Sequence, residues 1–294
     1  MLLFLALSLL LASPARAESE PAAAPPVVFL SDFGTGDDAV AAVKGVMLGI
    51  DPRLQVIDLT HQVRPYAIAD GARLLADTAP FYPKGTVFLA VVDPGVGSTR
   101  KPMVARSSRG QWFVLPDNGL ITLVAERDGL ESAREITNPA WLRTPAVSST
   151  FHGRDVFAPV AAHLARGDDW TEVGPVIAKP VRLPLHPATV DAQGLHGQVI
   201  AIDGPYGNLI TDVDAATFAQ LGYTPGDKVH VRLAGRTIEV PLAHTFSDVP
   251  HGAPLLFVDS RGHLGLALNQ DSFARRYNVT VPSALAIPRK GPVK

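Results

Sequence analysis

Three short polar stretches carry the residue types from which chemistry is made. In Ala90-Val91-Val92-Asp93-Pro94-Gly95-Val96-Gly97-Ser98-Thr99-Arg100, a carboxylate (Asp93) and a guanidinium (Arg100) flank a loop built on one proline and two glycines. Proline fixes φ and glycine reaches backbone conformations closed to other residues, so this loop is tight and rigid. In Ser31-Asp32-Phe33-Gly34-Thr35-Gly36-Asp37-Asp38, three carboxylates gather around two glycines. In Phe151-His152-Gly153-Arg154-Asp155, an imidazole (His152) opens a segment that also holds an arginine and an aspartate. A carboxylate and an imidazole can accept or relay a proton, and a guanidinium favours an anionic oxygen. Each stretch also has a plainer reading: a turn with a surface ion pair, a capped helix start, a histidine that serves packing.

The elements around these stretches decide between the readings. Val87 to Val92 is apolar without alternation, as expected of a strand covered on both faces. Its loop therefore sits at a strand's carboxyl end, where open α/β sheets bind ligands. Val27 to Leu30 predicts another strand, running into the acidic turn and then a helix from Ala39 to Gly49. That opening suits a nucleotide fold but not a phosphate loop, since no Lys-Ser/Thr follows the glycines and three carboxylates repel a phosphate. Carboxylates there suit sugar hydroxyls or a metal, or they cap the helix, as Asp37 or Asp38 could.

Further along, a strand is expected at Leu54 to Leu59 and an amphipathic helix at Ala67 to Phe81, with apolar residues at 68, 72, 75 and 79. Short strands follow at Met103 to Arg106 and Trp112 to Leu115, then helices from Asn118 to Ala125 and Val156 to Ala165. This alternation predicts an α/β N-terminal domain over residues 27–178, with a mainly parallel sheet and helices on both faces. Residues 179–193 carry Pro180, Pro184 and Pro187 without helical period and read as a linker. Residues 194–290 read as all β, with strands at Gly197 to Asp203, Lys228 to Leu233, Arg236 to Pro241, Pro254 to Asp259 and Leu264 to Leu268. A small all-β C-terminal barrel of about five strands closes such a set. Two of its turns are unusually polar: Asp203-Gly204-Pro205-Tyr206-Gly207-Asn208 and Ser260-Arg261-Gly262.

With 47% hydrophobic and 18% charged residues in 294, the chain can bury a sizeable core, and a net charge of −2 argues against a nucleic-acid partner. The chain has no cysteine, hence neither a disulfide framework nor a lipoprotein attachment site. Met1 to Ala17 has the form of a signal peptide: Leu2 to Ala12 is apolar but too short to span a bilayer, and Ala15-Arg16-Ala17 offers a small-x-small cleavage site. Residues 18–26 are then a flexible lead-in. The expectation is an exported protein, periplasmic or secreted, with no membrane attachment after cleavage.

Taken in order, S-D-F-G-T-G-D-D, D-P-G-V-G-S-x-R, F-H-G-R-D, I-D-x-P-Y-G-N and S-R-G resemble the S-adenosyl-L-methionine hydroxide adenosyltransferase family, hydrolase relatives of fluorinase and chlorinase. The resemblance runs from about Val27 to Ala286. It implies a hydrolytic triad on Asp93, Arg100 and His152, a ribose-diol carboxylate on Asp37, and an aromatic cover near the sugar on Tyr66, where fluorinase has Trp. It further implies an adenine contact on Asn208 and contacts to the amino-acid end on Asp203, Ser260 and Arg261. Leu268 departs from the arginine of fluorinase near the adenine. The implied fold is an α/β domain followed by a β-barrel, and the implied assembly is a homotrimer with the site between the α/β domain of one chain and the barrel of its neighbour.

The implied reaction is hydrolysis of S-adenosyl-L-methionine to adenosine and L-methionine by in-line attack of activated water on C5′, without metal or organic cofactor. Asp93 and His152 both stay open as acceptors of the water's proton. An adenosyl halogenase is disfavoured, because fluorinase has Tyr at Asp93 and Ser at Gly153 and a carboxylate repels a halide. Two other classes remain: a divalent-metal phosphohydrolase using Asp32, Asp37 and Asp38, which gives Arg100 no task, and a non-catalytic exported nucleoside-binding protein.

Overall fold

A computed structural model of the chain describes residues 24–143 and 147–291; the expected signal peptide at Met1 to Ala17 lies outside the described residues. The first half alternates β1 (Val27–Ser31), α1 (Ala39–Ile50), β2 (Val56–Thr60), α2 (Ile68–Thr78) and β3 (Val87–Val91). It continues with β4 (Pro102–Ser107), β5 (Trp112–Pro116), α3 (Thr122–Asp128), β6 (Leu130–Glu135) and α4 (Ala158–Arg166). The sheet has the order β2-β1-β3-β5-β4-β6. Its first four strands are parallel, and β4 runs antiparallel to both its neighbours.

Two apolar layers sandwich this sheet. On one face Val27, Phe29, Val87, Leu89 and Val91 pack against α1 and α4 through Val43, Met47, Val160 and Ala161. On the other, Val28, Leu30, Phe88 and Ala90 meet α2 and α3 through Ala72, Leu75, Val124 and Ala125. Alternate residues of β1 and β3 thus enter opposite layers, which is why both strands read as unbroken apolar runs. The register pairs Leu30 with Ala90 and Ser31 with Val91, so the acidic loop after β1 and the Asp93 loop after β3 emerge side by side at one edge.

The second half is an all-antiparallel, nearly closed barrel. Its strands are β7 (Thr189–Val190), β8 (Gly194–Asp203), β9 (Asn208–Asp214), β10 (Lys228–Leu233), β11 (Arg236–Pro241), β12 (Pro254–Val258), β13 (His263–Leu268) and β14 (Ser283–Pro288). Two short helices, α5 (Ala215–Ala219) and α6 (Phe273–Tyr277), lie among them. The order is β11-β10-β14-β8-β9-β13-β12, with β7 on β8, and a bridge from Leu242 to Leu256 draws the ends together. Among the described residues, eight strands, not about five, make the barrel. The additional ones are β9, β14 and the two-residue β7. Along the segment between the domains, Val181 N–H donates to Asp117 Oδ1 (2.8 Å) and Leu183 N–H to Thr122 Oγ1 (2.9 Å), so this stretch is laid against the α/β domain. Among the described residues, no helix is long and apolar enough to cross a membrane.

Candidate active site

The loop after β3 is folded on itself. Val96 N–H donates to Asp93 O, Ser98 N–H to Gly95 O, and Ser98 Oγ–H to the same Gly95 carbonyl at 2.7 Å. Gly97 takes φ +77°, while Gly95 stays at negative φ. Asn118 Nδ2 donates to Val92 O (2.9 Å) and holds the strand end from the side. This turn brings Arg100 back over Asp93: Nε donates to both carboxylate oxygens at 2.9 Å, and Nη2 donates to Oδ2. Both side chains are largely shielded from water, 9% and 5% exposed, so the pair is not a loose surface contact.

His152 reaches the same guanidinium from another element. It caps a π-helical turn, Gly153–Phe157, that leads directly into α4. Its Nδ1 stands 2.8 Å from Arg100 Nη2. Arginine has no acceptor, so Nδ1 must accept, and the neutral ring carries its proton on Nε2. Burial, and then the charge of Arg100, hold the His152 pKa below its ordinary value, which keeps the ring in that neutral form; Asp93 and Asp155 act weakly the other way. Arg100 also lies over the Phe157 ring, 5.3 Å from its centroid. Its Nη1 is buried and has no hydrogen-bond partner among the described residues. Asp93, Arg100 and His152 therefore form one chain of contacts with a spare donor at its centre.

The β1 loop lies beside them. Tyr66, at φ +66° and 74% exposed, donates its N–H to Asp32 Oδ2 at 2.9 Å. A tyrosine held in left-handed backbone is strained, and such strain gathers at functional sites. Asp37, expected at the sugar, is exposed and turns Oδ1 onto Ala39 N–H (3.0 Å) at the start of α1. Asp38 is the cap residue of α1 but makes no side-chain cap bond. The carboxylate beside Tyr66 is thus Asp32, which sequence reasoning considered only as a metal ligand. Asp32 and Asp37 are each engaged by a different backbone N–H, a poor start for three aspartates converging on one cation.

In the barrel, Asp203 and Asn208 face each other across the β8–β9 turn. They line a cleft of about 880 Å³ with Phe246, Leu268, Gln270 and Ser272. Tyr206 and Phe246 expose their rings there, and sequence reasoning missed Phe246 because an isolated aromatic in a polar turn carries no spacing signal. Ser260 and Arg261 lie elsewhere. They form the β12–β13 turn, whereas Leu268 is at the far end of β13, about 20 Å away at strand rise. Arg261 Nε stands 3.5 Å from Asp77 of the same chain. Asp77 is in the last turn of α2, and in a β-α-β crossover that end lies at the sheet edge opposite the Asp93 loop. One chain therefore keeps Ser260 and Arg261 apart both from Asp203 and Asn208 and from the Asp93–Arg100–His152 contacts.

Comparison with known proteins matches both halves. Residues 27–174 match the family model described as the SAM hydroxide adenosyltransferase N-terminal domain, and residues 197–285 match its C-terminal domain. An (R)-S-adenosyl-L-methionine hydrolase from Salinispora arenicola is 40% identical, over 90% of this chain and 98% of that protein. A fluorinase from Actinoplanes sp. (strain N902-109) is 34% identical, over 87% of this chain and 94% of that protein. A solved structure, an uncharacterized conserved protein from Thermotoga maritima, superposes with a TM-score of 0.85 at 35% identity, covering 89% of this chain and 99% of that one.

Proposed function

This chain belongs to the SAM hydroxide adenosyltransferase family, and we infer that it hydrolyses S-adenosyl-L-methionine to adenosine and L-methionine. The observation that carries this reading is the continuous contact from Asp93 through Arg100 to His152, in a chain 40% identical to a named (R)-S-adenosyl-L-methionine hydrolase. From the sulfonium substrate, methionine leaves as a neutral thioether, so its departure needs no general acid. The new bond joins water oxygen to C5′; the C5′–S bond breaks with its electron pair going to the methionine sulfur; one proton leaves the water. Arg100, whose guanidinium joins Asp93 to His152, is the cation suited to favour the water oxygen as it becomes anionic. The proton passes to Asp93. The acceptor nitrogen of His152 is already committed to Arg100, while the carboxylate keeps lone pairs beyond those it gives to Arg100.

Asp93 also separates this reaction from halide transfer, since a carboxylate repels a halide at the same place. Around the reacting centre, Asp32, Asp37 and Tyr66 serve the sugar, and Asp203 and Asn208 serve the amino-acid end and the base, with Phe246 offering a ring for stacking. S-adenosyl-L-methionine enters as substrate, and no step calls on a resident cofactor. The family resemblance supports a homotrimer in which the barrel cleft of one chain meets the Asp93 loop of another, and the contact of Arg261 with Asp77 of its own chain is compatible with that arrangement. Ser260 and Arg261 are kept as proposed contacts to the amino-acid end, as the family resemblance implies. The leader-like Met1 to Ala17 supports export to the periplasm or medium. Incubation of the protein with S-adenosyl-L-methionine in ¹⁸O-water tests the reaction: adenosine labelled at the 5′-hydroxyl and unlabelled methionine are expected, and unlabelled adenosine overturns the mechanism.

A further inference from the structure

The Phe151–Asp155 segment contains a buried charge that the reaction does not use. Asp155 is completely buried. Its carboxylate accepts from Arg154 Nε (2.6 Å) and Nη2 (2.8 Å) and from Ser148 N–H (2.8 Å), with Arg143 Nη1 at 3.5 Å. Its own carbonyl accepts from Arg143 N–H (2.9 Å), and its N–H donates to Phe151 O (3.2 Å). Donors from before, within and after the His152 loop thus converge on one carboxylate. Hydrogen bonds from Arg154 hold it in the charged form, below the ordinary carboxylate range. A buried charge is retained only where its partners are well placed, and its energetic return on stability alone is poor.

What these bonds hold in place is the wall of the site. Ser149 O lies so close to Gly97 that a β-carbon there would stand 2.7 Å from it, so the loop that Asp155 secures is pressed against the Asp93–Arg100 loop. Gly153 packs in the same way under the Phe33 ring, with 2.9 Å from an added β-carbon to Cζ. His152 lies between these two contacts. We propose that Asp155 is a positioning residue for this reaction: through Arg154, Arg143 and Ser148 it fixes the loop that aims His152 Nδ1 at Arg100. It works through His152 and touches no substrate.

The proposal rests on the hydrolase reading, and two kinds of readout keep the two separable. The charged groups around His152 are Arg100 and Asp93 from the β3 loop and Asp155 with Arg154 from its own segment. In Asp155→Asn the shape stays and the charge goes. About a 10-fold or larger fall in kcat with KM within about twofold is expected, because position and not substrate contact is lost. The acid limb of the pH profile should also move to lower pH, since Asp155 is one of the charges that raise the His152 pKa. Arg154→Lys keeps the charge but loses the two-pronged contact and is expected to fold; it should lower kcat about threefold or more without moving that limb. Unchanged kcat in folded Arg154→Lys, or equal losses in kcat and KM, overturns the proposal. ¹⁵N spectra of histidine-labelled protein, with the His152 signal identified by its loss in His152→Gln, read the same geometry without turnover. A single Nε2-protonated tautomer in the wild type that becomes mixed in either variant supports the proposal even if the wild type leaves S-adenosyl-L-methionine intact, an outcome that would sink the hydrolase reading alone. An unchanged tautomer in both variants overturns it.

Discussion

Arg100 can only donate, and that fixes the state of both its partners: Asp93 is the anion it covers, and His152 presents a bare Nδ1. Asp93→Asn keeps the shape but removes the charge and sets an NH₂ against the guanidinium. A loss of about 100-fold in kcat is expected, with KM little changed, as for a group whose interaction forms in the transition state. Steady-state kinetics checks this, and near-normal turnover would make Asp93 a loop residue only. Acid should act through His152. Its folded pKa lies below the ordinary 6.5, so the folded chain favours the neutral ring. Its contribution to stability is complete above 6.5 and is lost as pH falls toward the folded value, because the unfolded chain takes the proton first. Activity should fall only as the folded ring itself takes a proton, below 6.5, because a protonated Nδ1 no longer accepts from Arg100; an acid limb at or above 6.5 in the pH–rate profile would contradict the neutral ring. Asp93, Arg100 and His152 stand out in the sequence because each sits in or beside a Gly-bearing loop between clear elements, but their joint role comes from the ordered motifs that resemble the family. Asp32 reads from sequence only as a metal ligand and Asp155 has no assigned role there, since an aspartate in a polar turn looks the same whether it binds sugar, caps a helix or anchors a loop.

Among elements, the decisive contact is loop on loop. Gly97 has positive φ and faces a backbone carbonyl that a side chain cannot push aside, whereas Gly36 has open space around it. Gly97→Ala should cost about 1–3 kcal/mol in denaturant unfolding and lower kcat as the two loops part, while Gly36→Ala should stay within about 0.5 kcal/mol. Equal effects of the two would mean the loops are not pressed together. The α/β domain was readable because burial on both faces makes β1 and β3 continuous apolar runs. The barrel was undercounted for physical reasons. β14 alternates alanines with larger residues between prolines, and β9 begins at Asn208 inside what reads as a turn. The edge strand β6, Leu-Glu-Ser-Ala-Arg-Glu, is mostly polar and gave no strand signal either. The helix expected from Val156 begins instead as a π-helical turn at Gly153, a widening that the apolar period does not encode.

At the scale of the whole molecule, the chain divides its proposed functional groups between two bodies. Asp32, Asp37, Tyr66, Asp93, Arg100 and His152 lie on the α/β domain, and Asp203, Asn208 and Phe246 line the barrel cleft. Arg261 anchors the opposite end of its own barrel near Asp77, at the end of α2 away from the Asp93 loop. A head-to-tail ring would bring each barrel cleft to a neighbour's loop, while a site within one chain would need cleft and loop of the same copy to meet. Mixing two inactive variants under subunit exchange distinguishes these arrangements. Asp93→Asn spoils the α/β half and Asp203→Ala the barrel half. In a ring, half of the α/β domains and half of the clefts are intact, so about a quarter of randomly assembled sites join two good halves, and activity should rise towards about a quarter of the wild-type value. Where both halves come from one chain, every site carries one defect and nothing returns. Exchange is verified by mass spectrometry of isotopically distinct subunits, so an absence of recovery in a verified mixture places Asp203 in the same subunit as the triad it serves.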